Sequence, residues 1–341
     1  MARIDELRRQ LAAAPRRWLV TGGAGFIGSH LVDALLGLGQ HVRVLDNFIT
    51  GSRANLDDVR ARVGAAAARL HVLEGDIADA AVCAEACRGI DLVLHQAALG
   101  SVPRSLADPR ATHRANVDGF VEMLLAAKEA GVARFVYASS SSVYGDHPDL
   151  PKVEGRIGRP LSPYAASKLV DEVYARGFQA SFGIETVGLR YFNVFGPRQD
   201  PNGPYAAVIP KWVAALLAGE RCVVFGDGDT SRDFCSVHNA VQANLLAALA
   251  PSSATGEAYN VAFGARTTLV ELFGMLKDGL ARARPAIASA QPSFGPFRAG
   301  DVRHSLADIT AARAALGYAP THDVRAGLAE ALPWYVAQAG G

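Results

Sequence analysis

Two groups of residues in this chain have the types and spacing for acid–base chemistry. Tyr164 and Lys168 stand four apart in Tyr164-Ala165-Ala166-Ser167-Lys168, and a serine run, Ser139 to Ser142, precedes Tyr144 about 20 residues upstream. On a helix a four-residue spacing puts phenol and ammonium on one face, where the ammonium lowers the phenol pKa. Bringing a tyrosine from about 10 to near 7 takes roughly 4 kcal/mol of differential stabilisation, within reach of an adjacent cation in a partly desolvated site. Tyr164 is therefore the expected general base. Taken alone, a Tyr/Lys pair at this spacing more often decorates a surface helix, and a serine run is usually a loop. Their chemical reading depends on the elements that position them.

Those elements alternate. Apolar runs at Trp18 to Thr21, His41 to Asp46, Leu70 to Gly75, Asp91 to His95, Arg134 to Ser139 and Glu185 to Phe192 read as strands covered on both faces. Helix starts fall near Phe26, Asp79, Pro109 and Pro163, the last two with proline where a helix begins. Alternation of this kind predicts an α/β fold, a Rossmann-type doubly wound parallel sheet. A Pro/Gly/Asn-rich stretch, GPRQDPNGPY, then leads to a helix around Ile209 to Leu217 and a short strand, Cys222 to Phe225. A further helix, His238 to Leu249, and strand, Tyr259 to Val261, are expected to return to the first sheet. The expected division is a nucleotide-binding domain at 1–195, rejoined by 233–262, and a smaller substrate lobe from 196–232 and 263–341.

The first strand runs into Gly22-Gly23-Ala24-Gly25-Phe26-Ile27-Gly28 and then a helix, the context a phosphate-binding turn requires. Gly22 permits the turn, Gly25 admits the pyrophosphate to the backbone, and Gly28 lets helix and strand pack closely. The spacing GxxGxxG is one residue longer than the common GxGxxG. Asp46 closes the second strand, about 20 residues on. A carboxylate there accepts from the adenosine ribose hydroxyls and repels a 2′-phosphate, so NAD is the expected cofactor. Asp76 is placed to reach the adenine edge, and Ala97 and Ala98 offer small residues where the backbone passes the cofactor.

Composition excludes other classes. The 341 residues are 50% hydrophobic with net charge +1, which leaves no electrostatic footprint for nucleic acid or an anionic membrane surface. No apolar run reaches the roughly 18 residues of a membrane span. The N-terminal stretch carries Asp5 and Glu6, and Ile4, Leu7 and Leu11 share one helical face. A packed helix and a cytoplasmic location are expected. Cys83, Cys87, Cys222 and Cys235 read as reduced core thiols, and no second Cys or His pair stands at zinc-site spacing, so no metal is expected.

GGAGFIGSHL, LDNF, the serine run before VYG, SPYAASK and LRYFNVFGP together closely resemble the extended short-chain dehydrogenase/reductases, the NAD-dependent epimerase/dehydratase family, that act on nucleotide sugars. DPNGPYAAVIPKW, FGDGDTSRDF and RAGDVRHSLAD are similar to bacterial UDP-N-acetylglucosamine 4-epimerases of polysaccharide and O-antigen synthesis. The resemblance implies a redox-neutral inversion at C4 through a 4-keto sugar, with NAD as a bound catalyst. Ser140 takes the catalytic serine position beside Tyr164 and Lys168. Cofactor contacts are implied at Phe26, Ile27, Asn47, Phe48, Gly51 and Ile77, and at Asn116, Ser139, Tyr191 and Val194. Substrate contacts are implied at Gly100, Ser101, Ser142 and Asn193, at Tyr205, Ala207, Val208, Lys211 and Trp212, and at Phe225, Arg232, Arg298, Asp301 and Ser305. Arg232 and Arg298 are diphosphate clamps by charge and shape. Ser305 stands where relatives restricted to non-acetylated UDP-hexoses are implied to carry tyrosine.

The implied reaction is interconversion of UDP-GlcNAc and UDP-GalNAc, with UDP-Glc and UDP-Gal as a second pair. A UDP-(N-acetyl)hexuronate 4-epimerase is the alternative within the class, and an NAD-sensing regulator is the alternative outside it. Related 4,6-dehydratases carry an Asp-Glu pair before VYG, where this chain has Ser141 and Ser142. A homodimer through the helices near Pro109 and Pro163 is also implied.

Overall fold

The computed structural model describes residues 3–201, 206–297 and 303–339. Seven parallel strands form one sheet: β1 (Arg17–Thr21), β2 (His41–Asp46), β3 (Leu70–Glu74), β4 (Leu92–His95), β5 (Arg134–Ser140), β6 (Glu185–Tyr191) and β7 (Glu257–Val261). Their spatial order is β3-β2-β1-β4-β5-β6-β7. Chain order therefore reverses between β1 and β4, the place where a doubly wound sheet leaves a crevice at its carboxyl edge. Trp18 aligns with Val42 and Leu92, and Thr21 with Leu45 and His95.

Period-two alternation sends side chains to both sheet faces. Trp18, Val20, Val42, Val44, Leu92 and Leu94 enter one core with the helix Phe26–Gly37. Leu19, Leu45 and Val93 enter the other with Phe120, Met123 and Phe178. Each fully buried Leu or Val among them contributes about 1.5–3 kcal/mol. The N-terminal helix Arg3–Ala13 adds Ile4, Leu7 and Leu11 to the first core, where the Trp18 indole donates to Gln40 Oε1 at 3.1 Å.

β3 departs from the doubly covered pattern expected of every strand. Among the described residues it pairs only with β2, and none of its five residues is fully buried, because it is the sheet's edge. β7 pairs with β6 at the other edge and runs Glu257–Val261, two residues earlier than the apolar run suggested. The Pro109 start opens only Pro109–His113, after which the helical path continues through a π turn, Arg114–Asp118, into Gly119–Glu129.

A third core lies away from the sheet. The helices Val208–Ala218, Leu269–Ala281 and Val324–Gln338 bury Trp212, Leu216, Leu272, Leu276, Leu328 and Leu332 against one another. Cys83 and Cys87 pack in the second core and Cys222 in the third, their thiols pushed up by burial. No described helix is long and apolar enough to cross a membrane.

Candidate active site

The carboxyl ends of β1, β2, β4, β5 and β6 open into a cleft of about 650 Å³. Gly22, Gly25, Phe26, Ile27 and Gly28 form its floor. Gly22 has φ 66°, and a Cβ there would stand 2.8 Å from the Ala97 amide nitrogen. A Cβ on Gly28 would stand 2.0 Å from the Gly22 carbonyl oxygen, so turn and helix touch through backbone alone. Gly25 caps the helix Phe26–Gly37, and among the described residues no side chain accepts from its first-turn N–H groups. Those groups and the helix dipole are thus left for an anion, and the cradle fits a dinucleotide pyrophosphate.

At the end of β2, Asp46 is buried, and its two oxygens accept from Ala24 N at 2.9 Å and Phe48 N at 2.8 Å. Burial pushes its carboxyl up, while the two backbone donors pull it down. The following loop folds back over it, with Ser52 N donating to Ala24 O at 3.0 Å. Gly51 has to be glycine in this geometry, since a Cβ would stand 2.9 Å from both Asp46 oxygens. Asn47, Asp76, Ile77, Ala97 and Ala98 complete the wall expected for the adenosine half. Thr21 ties the crevice together: its hydroxyl lies 2.9 Å from His95 Nδ1 and accepts from Ala97 N at 3.2 Å. His95 is buried beneath it and pushed down to about 3 by desolvation and by the Lys168 charge.

Ser139, Ser140, Tyr164 and Lys168 line the opposite wall. Ser140 ends β5, and its Oγ accepts from Ser142 N at 3.2 Å and from the Ser142 hydroxyl at 3.0 Å. Tyr164 and Lys168 stand on the first turns of the helix Pro163–Phe182, started by Ser162, whose Oγ accepts from Ala165 N at 3.1 Å, and by Pro163. Lys168 is buried, and its Nζ donates to Asp171 Oδ2 at 3.0 Å. Next to it, Glu172 accepts from the Ser139 hydroxyl at 2.5 Å and from Arg190 Nε and Nη2 at 2.9 and 2.8 Å. Arg190 also donates to the Tyr144 hydroxyl, so a buried polar network underlies the β5 end.

Tyr191, Val194, Asn193 and Gly100 also line the cleft. The Tyr191 hydroxyl is held between Gln96 Oε1 at 3.0 Å and Asn244 Nδ2 at 2.7 Å. Asn116 sits behind the wall, joined to Leu99 through N···Oδ1 at 2.7 Å and to the Ser167 hydroxyl at 3.0 Å, placed there by the π turn. Phe48 stacks under Arg53 at 4.0 Å, outside the cleft lining. Ser101 caps the short helix Val102–Ala107, and Ser142 supports Ser140.

The expected sugar-side residues are less gathered. Ala207, Val208 and Lys211 start the helix Val208–Ala218, and Phe225 ends the strand Val223–Phe225; none of them lines the cleft. Trp212 is buried against Phe273 in the third core, because its position on that helix faces inward. Arg232 donates to the carbonyls of Ser231 and Arg303 at 3.0 and 3.2 Å, and Ser305 N donates to Ser231 O at 3.0 Å. Asp233 locks this region: fully buried and pushed up to about 6, its carboxylate accepts from Phe263, Gly264 and Ala307 amides. Tyr205, Arg298 and Asp301 lie outside the described residues.

Gln96, Leu99, Ile49, Thr50, Arg114 and Gln199 line the cleft without having been singled out. Gln96 and Leu99 flank the Ala97-Ala98 pair at a strand's carboxyl end, a signal sufficient to find them. Arg114 and Gln199 carry no comparable local mark.

Residues 18–262 match the model of the NAD dependent epimerase/dehydratase family. Over 321 residues the chain is 36% identical to a UDP-glucose 4-epimerase of Mycolicibacterium smegmatis, covering 94% of this chain and 98% of the relative. It is 34% identical over 322 residues to a dTDP-glucose 4,6-dehydratase of Streptomyces griseus, covering 93% of each. Among solved structures, a UDP-N-acetylglucosamine 4-epimerase from Methanobrevibacter ruminantium M1, in complex with UDP-N-acetylmuramic acid, aligns with TM-score 0.87 at 38% identity, covering 95% of this chain and 99% of that one.

Proposed function

The chain belongs to the NAD-dependent epimerase/dehydratase family and is an enzyme of the UDP-sugar 4-epimerase kind, and from that premise we propose that it interconverts UDP-GlcNAc and UDP-GalNAc. The observation that carries the reading is the meeting of Ser140, Tyr164 and Lys168 with the glycine turn in one cleft, with serines and not acids at 141 and 142 just before Val143-Tyr144. Gly22, Gly25 and Gly28 would hold the NAD pyrophosphate, and Asp46 the adenosine ribose. NAD supplies the reversible oxidation and reduction at C4. Tyr164 Oη takes the proton of the C4 hydroxyl and later returns it, and the Ser140 hydroxyl, oriented by Ser142, aligns that hydroxyl. The Lys168 ammonium stands one turn on from Tyr164 along the same helix face, toward the cofactor ribose. Arg232 clamps the diphosphate while the 4-keto sugar turns to present its other face. Ser141 and Ser142 stand where dehydration would need acids, so water is not eliminated.

The N-acetyl preference rests on the 38%-identical epimerase and on the small Ser305. A second reading, a UDP-(N-acetyl)hexuronate 4-epimerase, draws support from the likeness to a UDP-glucuronic acid 4-epimerase from Bacillus cereus, with TM-score 0.84 at 28% identity. UDP-Glc/UDP-Gal is a further substrate pair in the proposal. Supply of GalNAc donors for polysaccharide or O-antigen, hence lipopolysaccharide, synthesis is the proposed role. A homodimer is proposed across the helix Pro163–Phe182, which exposes Val173, Tyr174 and Phe182. Incubation with UDP-GlcNAc, UDP-Glc and the matching uronates, with C4 epimers resolved by NMR, tests the assignment. Turnover of a uronate but not of UDP-GlcNAc would replace the first reading by the second.

A further inference from the structure

Asp171 has no exposed surface, and among the described residues the one partner of its carboxylate is the Lys168 ammonium, 3.0 Å from Oδ2. Its other oxygen, Oδ1, is buried with no hydrogen-bond partner among the described residues. A buried carboxylate so sparingly satisfied costs stability relative to an apolar side chain of the same size. The neighbouring Glu172 shows the contrast, being fully engaged by Ser139 and Arg190. Asp171 thus touches a residue of the reaction centre and does little else for the fold.

Tyr164, Lys168 and Asp171 lie at i, i+4 and i+7 of one helix, hence on one face. A buried ammonium without a counter-ion loses its proton readily, and desolvation alone lowers a lysine by up to about 3–5 pH units. Among the described residues the surroundings offer no substitute. His95 on β4 is held neutral, pushed down to about 3, and Tyr137 on β5 is pushed up by burial and by the two carboxylates. Glu172 on the same helix is neutralised by Arg190 of β6, and Arg176 one turn further acts on Tyr137 only at a distance.

We infer that Asp171 is a positioning residue for the reaction: its carboxylate keeps the Lys168 ammonium charged and anchored on the Tyr164 face of the helix. One ammonium N–H donates to Asp171, and two remain to face the cofactor ribose and the Tyr164 side of the helix. This rests on the assignment of Tyr164 and Lys168 in the proposed function. Burial pushes the Asp171 carboxyl up to about 6, so the pair loses its negative member in mild acid.

The test is Lys168 ionisation in the NAD-loaded protein. The chain has only five lysines, Lys128, Lys152, Lys168, Lys211 and Lys277, so ¹³Cε-lysine NMR resolves them, with Lys168→Arg giving the assignment. In the parent protein the Lys168 resonance should step as the carboxyl titrates near pH 6. In Asp171→Asn it should lose its proton at a pH at least about one unit lower than in the parent, and Asp171→Glu should restore most of that shift. With whichever UDP-sugar is turned over, the basic limb of kcat should move down by the same amount in Asp171→Asn, with KM unchanged. An unmoved Lys168 titration in Asp171→Asn, or no step in the parent should that variant not fold, overturns the inference. The resonance needs no sugar, so a protein that inverts none of the sugars yet shows these shifts refutes the substrate assignment alone.

Discussion

Gly28→Ala should cripple cofactor binding while leaving the rest of the sheet in place. The added Cβ would stand 2.0 Å from the Gly22 carbonyl oxygen and 2.8 Å from Gly22 C and Gly23 Cα, all backbone atoms. A non-bonded contact needs roughly 3.5 Å, so turn and helix must separate by about 1.5 Å. Gly22 cannot give way freely, because its N–H donates to Leu45 O at 2.8 Å and any shift drives it toward Ala97. Overpacking of this kind costs about 1–3 kcal/mol, and taken from NAD affinity that is roughly 5- to 150-fold. The assay is the NAD(H) content of the purified protein, with a titration of added NAD by calorimetry. Gly37→Ala, at the far end of the same helix, meets no atom within 4 Å and should leave both NAD content and stability unchanged or raise stability by up to about 1 kcal/mol. If Gly28→Ala kept the parent's NAD content and affinity while folding normally, the close approach would not be what shapes the phosphate cradle.

Tyr164→Phe should retain NAD and lose about 10²- to 10⁴-fold in kcat; a loss under about tenfold would remove Tyr164 as the base. Ser305→Tyr should lower kcat/KM for UDP-GlcNAc by roughly 5- to 150-fold and spare UDP-glucose, and an unchanged ratio between the two substrates would show that Ser305 does not gate the acetyl group. His95, pushed down to about 3 in the fold from an ordinary 6.5, binds its proton in the unfolded chain first. Its contribution is therefore fully present above pH 6.5 and lost as pH falls, by about 2 kcal/mol between pH 7 and 5. Urea midpoints at both pH values should show His95→Gln losing less on acidification by about that amount, and equal losses would contradict a neutral buried imidazole.

Much of this protein was legible locally. The glycine turn, Asp46 and the Tyr164/Lys168 spacing are short-range patterns, because a phosphate cradle and a two-residue helical face are each built within one or two turns of chain. Strand positions were legible for the same reason: burial on both sides demands continuous apolar runs such as WLVT and LVLH. The edge position of β3 was not, since a strand's own residues do not say which neighbours pair with it. The helix Leu269–Ala281 is marked in the sequence by its Thr268/Glu271 capping box, whereas Val324–Gln338 carries Pro333 inside and a blurred apolar stripe. Trp212 illustrates the limit from the other side, reading as a pocket residue until helix packing turned it into the third core. What tertiary structure alone decided are contacts across long stretches of chain: Asp46 with the Ala24 amide, Gln96 with Asn244 and Tyr191, and Asp233 with Ala307. These depend on strand order, and strand order is set by which crossovers bury the most apolar surface over the whole chain, a sum that no local window contains.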